Sequence, residues 1–316
     1  MSITIKDIAT ASGFSYSTVS KALRNSVLVN DKTKKIIQTK ARELNYIPNA
    51  QARSLVSKKS GTIGLIWPSF ERAAINALVK EINELIKKRE HVLLISVDEL
   101  DTSASKFLDH RVDGLIVFDV GEETLLPEYV YQNIPTLAYG VSRCLPYQVL
   151  DVNHSKSVEI AMNEFMKVGI KDITYIGHLN HKDLRQKYKY ETFIQICEFN
   201  NITYQVVETN GLTEDVAYTS IATFLKNDNL LEGIFCSSVD IFRALMKQQI
   251  DFNNHKIISY DYIIDSVYSD ISYSVVGVPI KKIATSIVNN LFNQINDSGH
   301  QSENIKLYPT IKHINQ

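Results

Sequence analysis

Two kinds of hydrophobic pattern divide the chain. In the first 45 residues apolar side chains recur every three or four positions, the spacing of amphipathic helices. Ile5, Ile8 and Ala9 form one stripe, Val19, Ala22 and Leu23 a second, and Ile36, Ile37, Ala41 and Leu44 a third. Thr4 and Asp7 have capping-box spacing, so the first helix is expected to start after Thr4 and to end near Ser12. Gly13 suits the following turn, where positive φ costs glycine little. Ser15 is a good N-cap for the second helix, and Asn30 or Asp31 for the third. From Thr62 the pattern changes to short apolar runs between helical stretches. Strands are predicted at 62–68, 91–97, 113–119, 136–139, 173–177, 204–208, 233–236 and 256–260. Helices are predicted at 73–89, 122–132, 155–168, 187–199, 214–226, 240–248 and 280–296. Such alternation predicts parallel α/β sheets, and its length predicts two of them.

At 316 residues the chain exceeds the size at which single cores stop growing. Its charge is asymmetric. Residues 1–60 hold eight Lys and three Arg against Asp7, Asp31 and Glu43, a net of +8, which leaves −9 on the remainder of a chain of net −1. A basic amino-terminal domain on an acidic body points to a polyanionic partner. Cys144, Cys197 and Cys236 are odd in number and lack metal spacing, so they are expected to be reduced and buried. No apolar run is long enough to span a bilayer, and MSITIKDI carries charge where a signal peptide needs an apolar core. A cytoplasmic location is expected. There is no P-loop, GxSxG, HExxH or paired-Cys motif, and His178 and His181 fall on a predicted loop. Neither a metal, a cofactor nor an enzymatic activity is expected.

A helix, a tight glycine turn and a second helix with a polar face make a helix-turn-helix, and such a helix fits the major groove of DNA. TIKDIATASGFSYSTVSKALRNS (4–26) and YIPNAQARSL (46–55) resemble the LacI/GalR family of bacterial transcription regulators. The resemblance implies an all-α helix-turn-helix domain at 1–46 and a hinge helix with its linker at 47–60. It implies a two-lobed α/β body at 61–316 like a periplasmic binding protein, for effector binding and dimerisation. The first lobe would take about 61–152 and 280–296, the second about 153–276.

The family pattern assigns base contacts to Tyr16, Ser17 and Lys21, the last standing where arginine is usual. Ser15, Thr18, Ser20, Asn25 and Asn30 would touch phosphates or brace helices, and Thr4, Tyr46, Asn49 and Ala52 would also face DNA. Pro48 biases Ile47 to an extended form, and Asn49 can cap a short helix. In the family that helix forms when two chains pair on DNA, with Leu55 as an apolar wedge in the minor groove and Arg53 near the backbone or bracing the hinge.

Ligands of such bodies sit beyond the carboxyl ends of parallel strands. Trp67, Ser69 and Phe70 follow the first strand, Asp119 the third, and Asn153 and His154 stand at the first crossover between lobes. His178, Arg185, Asp240, Asp261 and Tyr262 are the second-lobe candidates, with Trp67 expected to stack on a sugar ring. Several positions depart from the family pattern. Its Asp-Asn pair reads Asn153-His154, its arginine falls on Gln186 beside Arg185, Lys189 replaces a usual glycine, and its Asn-Asp reads Val239-Asp240. The expected partners are a pseudo-palindromic double-stranded operator, a sugar or sugar-phosphate effector, and a second copy of the chain. A carbon-catabolite regulator with a protein co-repressor, or a regulator of a non-sugar pathway, are the alternatives.

Overall fold

The computed structural model describes residues 3–46, 59–67, 71–118, 125–141, 144–179, 182–264, 266–268, 270–297 and 303–315. It divides into two compact units, Met1–Ser60 and Gly61–Gln316.

The first unit holds α1 (Ile5–Ser12), α2 (Tyr16–Leu23) and α3 (Asp31–Glu43). The capping box is present in full: the Thr4 amide donates to Asp7 Oδ2 at 2.8 Å and the Asp7 amide to Thr4 Oγ1 at 3.4 Å. Gly13 ends α1 with φ of 71°. Ser15 and Asn30 cap α2 and α3 by accepting from the amides of Thr18 and Thr33. Ile8, Val19, Ala22, Val29, Ile37 and Ala41 form the core. Ile36 is not part of that stripe and is 46% exposed. Residues 37, 41 and 44 fall on one side of α3, and position 36 sits about 100° away from 37.

The second unit contains two six-stranded sheets among the described residues. The first lobe comprises β1 (Thr62–Ile66), α4 (Ala73–Lys87), β2 (Val92–Ser96), α5 (Leu100–Asp109), β3 (Gly114–Phe118), α6 (Glu128–Tyr131), β4 (Thr136–Tyr139) and β5 (Gln148–Val152). The second lobe follows with α7 (His154–Lys167), β6 (Asp172–Gly177), α8 (Leu184–Asn200), β7 (Thr203–Glu208), α9 (Glu214–Leu225), β8 (Gly233–Cys236), α10 (Val239–Met246), β9 (Lys256–Tyr262) and β10 (Tyr273–Pro279). The chain then returns to the first lobe with α11 (Ile280–Asn296) and β11 (Ile305–Leu307), and ends in the second with β12 (Thr310–Ile314). The strand orders are β11-β5-β4-β3-β1-β2 and β12-β10-β9-β8-β6-β7. All described pairings are parallel except β10 with β12.

The two-residue period of a strand explains the layers. Ile63 and Leu65 of β1 and Ile116 and Phe118 of β3 face α4 and α11, whereas Ile66, Leu115 and Val117 face Ala104 and Phe107 of α5. In the second lobe Ile176, Ile234 and Ile257 share one face, and Tyr175, Phe235 and Ile258 the other. Each such side chain contributes roughly 1.5–3 kcal/mol by leaving water, so either sheet needs helices on both sides.

Several elements differ from the expectations. Helix α5 and strands β5, β10, β11 and β12 carry no sequence prediction. Of the helix expected at 122–132, only Glu128–Tyr131 is helical among the described residues, and 125–127 are irregular. Cys197 and Cys236 are buried, but Cys144 is exposed. It follows β4 in an irregular segment, outside any apolar stripe. No described helix is long and apolar enough to cross a membrane.

Candidate functional site

In the amino-terminal unit, Ser15 sets the start of α2 and thereby which side chains that helix turns outward. Tyr16 is 55% exposed, Ser17 is exposed and Lys21 half-buried, on the side away from Val19 and Ala22. Thr18 and Ser15 share a hydroxyl hydrogen bond of 2.9 Å. Ser20 is bound by Arg24, whose guanidinium donates to its carbonyl and hydroxyl, each at 3.1 Å. Asn25, at φ of 54°, accepts from Gln38 at 2.8 Å. Thr4, Ser15, Asn25 and Asn30 are therefore all held in bracing bonds. Tyr46 is half-buried against the core. Arg24 lies on the same polar face, as the i, i+3, i+4, i+7 spacing of 17, 20, 21 and 24 requires. Asn49, Ala52, Arg53 and Leu55 lie outside the described residues.

The second unit has a cavity between the lobes, about 60 Å³ in volume. Phe118, Tyr139 and Val152 close it from the carboxyl ends of β3, β4 and β5. Tyr260, Asp261 and Tyr262 enter from the end of β9, and Arg185, Gln186 and Lys189 from the first turns of α8. Arg72, just ahead of α4, completes the polar lining. Gly277, within the register shift of β10 between Val276 and Pro279, also lines it: φ is 149°, and a Cβ there would lie 3.1 Å from the Tyr262 backbone nitrogen.

The lining is strongly coupled. Arg185 and Asp183 form a two-pronged pair, with Nε and Nη2 donating to the carboxylate at 3.0 and 3.1 Å. Burial opposes ionisation of Asp183, but Arg185 outweighs it and holds the carboxyl at about 2. The guanidinium also lies 4.5 Å from the centre of the Phe118 ring, across the cleft. Lys189 Nζ donates to the Ser237 carbonyl at 2.6 Å and sits 4.1 Å from the centre of the Tyr260 ring. Burial brings its pKa down to about 7, against the opposing pull of Asp261. His154 Nδ1 and the Tyr260 hydroxyl share a 2.5 Å hydrogen bond. Burial, together with Lys189 and Arg185, holds the imidazole well below its usual range and therefore neutral. Burial raises the phenols of Tyr139 and Tyr260.

Two carboxylates organise the rim. Asp261, at φ of 74°, accepts from the Val239 amide at 3.1 Å and so helps cap α10. Asp240 accepts from the Ala73 amide at 2.9 Å and lies 3.8 Å from Arg72 Nε, joining the lobes.

Of the sequence candidates, His154, Arg185, Asp261 and Tyr262 line the cavity, and Asp240 stands beside it. Trp67 does not stack on an open face. It is fully buried, 4.4 Å from Phe118 centre to centre, because its strand register turns it into the core with Ile63 and Leu65. Asn153 is occupied in capping α7, accepting from the Lys156 amide at 3.0 Å. His178 faces Glu208 at 3.9 Å and does not line the cavity. Ser69, Phe70 and Asp119 lie outside the described residues. Arg72, Phe118, Tyr139, Gln186, Lys189 and Tyr260 were not among the candidates. Phe118 and Tyr139 were accessible to the same strand-end rule. Among the described residues no group of His, Cys, Asp and Glu is arranged to hold a metal ion.

Comparison with known proteins agrees with this architecture. The model of bacterial regulatory proteins of the lacI family matches residues 4–49. The HTH-type transcriptional regulator MalR of Streptococcus pneumoniae is 31% identical over 188 residues, a stretch that spans 56% of this chain and 57% of MalR. The probable HTH-type transcriptional repressor ExuR of Bacillus subtilis is 26% identical over 323 residues, 96% of this chain and 95% of ExuR. The crystal structure of the lac repressor dimer bound to operator and the anti-inducer ONPF superposes with a TM-score of 0.79 at 19% identity, covering 99% of this chain and 98% of that one. A helix-turn-helix unit and a two-lobed, periplasmic-binding-protein-like body define the class. Residues 4–49 carry the domain of the lacI family of bacterial regulatory proteins, and the chain as a whole has the fold of the lac repressor.

Proposed function

We propose that the protein is a sequence-specific DNA-binding repressor of carbohydrate-utilisation genes, controlled by a small effector in the interlobe cleft. The observation that carries this reading is the outward face of α2, where Tyr16, Ser17 and Lys21 stand on a capped helix within a unit of net charge +8. A phenol, a hydroxyl and an ammonium on one helix suit base edges in a major groove, and the excess charge suits phosphates. Two copies in the cytoplasm would read the two halves of a pseudo-palindromic operator. Asn49, Ala52, Arg53 and Leu55 would act at its centre. The cleft supports the second half of the reading. Its lining joins charged, aromatic and hydroxyl groups from both lobes, as a polar ligand requires. A ligand that prefers one lobe arrangement shifts the protein toward it. Binding, not catalysis, is the activity.

The test is selection of preferred duplexes from random DNA by the full-length protein, followed by competition binding. Tyr16→Ala and Lys21→Ala are expected to weaken the selected site by about 1–3 kcal/mol each. Binding to random duplex should change much less. Equal losses on both DNAs would remove base reading from α2.

A further inference from the structure

Taking the cleft as the effector site, we infer that its ligand is an anion, a carboxylate or a phosphate borne on a hydroxylated carbon chain, and that Lys189 receives the charged group. The argument is one of unsatisfied polarity. Lys189 is 2% exposed and its ammonium is held by a carbonyl and an aromatic face, with no carboxylate paired to it among the described residues. Arg72, on the opposite lobe, reaches only the 3.8 Å approach to Asp240, and its Nε makes no hydrogen bond among the described residues. Burial shifts Asp240 itself toward the neutral form. Arg185 is already matched by Asp183, and Asp261 is engaged at the Val239 amide. Lys189 thus has no paired carboxylate among the described residues, and Arg72 on the facing wall has only the 3.8 Å ion pair with Asp240, an arrangement that favours an anion within the cavity. The third open group is Gln186, 2% exposed, whose Oε1 has no hydrogen-bond partner among the described residues. That carbonyl takes a hydroxyl donor, which is why the anion is assigned to a hydroxylated chain. A neutral polyol satisfies Gln186 and leaves the cations as they are.

The charged groups acting on Lys189 are Asp261 and Asp183, which favour its protonation, and Arg72 and Arg185, which oppose it. An incoming anion joins the first pair, so binding above neutral pH draws a proton onto the amine.

The experiment is calorimetric titration of the full-length protein with matched sets of a neutral hexose, its hexuronate and its 6-phosphate, in the glucose, galactose and mannose series. The charged member of at least one set is expected to bind at least about 30-fold more tightly than its neutral parent. The hexuronate and phosphate arms tell the two anions apart. Binding at pH 8 is expected to take up protons, read from the heat in buffers of different ionisation enthalpy. Lys189→Met should lower the affinity by about 30-fold and abolish the proton uptake, and Arg72→Gln should lower it several-fold. A neutral hexose bound as tightly as its acids, or acid binding that survives Lys189→Met, overturns the anion assignment and leaves the effector reading standing. Silence across every set overturns both.

Discussion

The Asp240 carboxylate accepts a hydrogen bond from the Ala73 amide at 2.9 Å, and the two residues belong to different lobes. Ala73 opens α4, whose own N-cap residue, Arg72, makes no side-chain capping bond. A helix start leaves several amides without partners and carries a partial positive charge. The second lobe therefore caps a helix of the first, and a side chain that would ordinarily stabilise one element stabilises a lobe arrangement.

Asp240→Ala is expected to cost about 1–2 kcal/mol, the range of a lost N-cap. The melting temperature should fall and the radius of gyration in solution scattering should rise, because the two lobes lose a tie. Asp240→Asn keeps an acceptor oxygen and should lose less. An unchanged radius in Asp240→Ala would show that the tie does not set the lobe arrangement.

Lys189 makes stability depend on pH in a stated direction. Its folded pKa is about 7 against 10.5 for the unconstrained amine. Between those values the unfolded chain holds a proton that the folded chain does not, so the fold gains stability as pH rises. Measured by urea unfolding, the difference between wild type and Lys189→Met should move in favour of wild type from about pH 7 upward. A flat difference would mean that the amine is not desolvated.

Asp183 acts at the other end of the scale. Its carboxyl is held at about 2, against 3.8 unperturbed, so its contribution is present above the unperturbed value and is lost as pH falls toward 2. Asp183→Asn is expected to be less stable than wild type at pH 6, and the gap should close between about pH 4 and 2. A gap that persists at the acid end would assign the loss to packing.

Ser15 fixes the start of α2 through the Thr18 amide at 3.2 Å. Ser15→Ala should destabilise the amino-terminal unit by about 1 kcal/mol. Faster hydrogen exchange at the Val19 and Ala22 amides, with no change in the body, is the expected signature. Unchanged exchange there would show that α2 holds without this cap.

The amino-terminal unit was legible because its determinants are local. Thr4 with Asp7, Gly13, Ser15 and Asn30 each act within a few residues, and only Ile36 was misjudged, by one position of helical phase. The body was legible in type but not in full. Strand β10 contains Gly277 and ends at Pro279, two residues that argue against a strand, and β11 is three residues long. Strand β12 is an antiparallel edge strand with a mixed polar pattern. At the cleft, the strand-end rule found the right region, but the side chain that enters it depends on pleat phase, which sent Trp67 inward. Lys189 escaped because a lysine on a helix reads as solvent-facing, and only the tertiary fold encloses it.

The order in which the sheets are completed governs how the protein is made. The first lobe receives β11 from residues 305–307, and the second receives β12 from residues 310–314. As the polypeptide leaves the ribosome, the amino-terminal unit has every residue of its core long before either sheet has its last edge. The nascent molecule thus has its amino-terminal core complete first, and the two sheets of its body gain their late edges only after residues 305–314 have been translated.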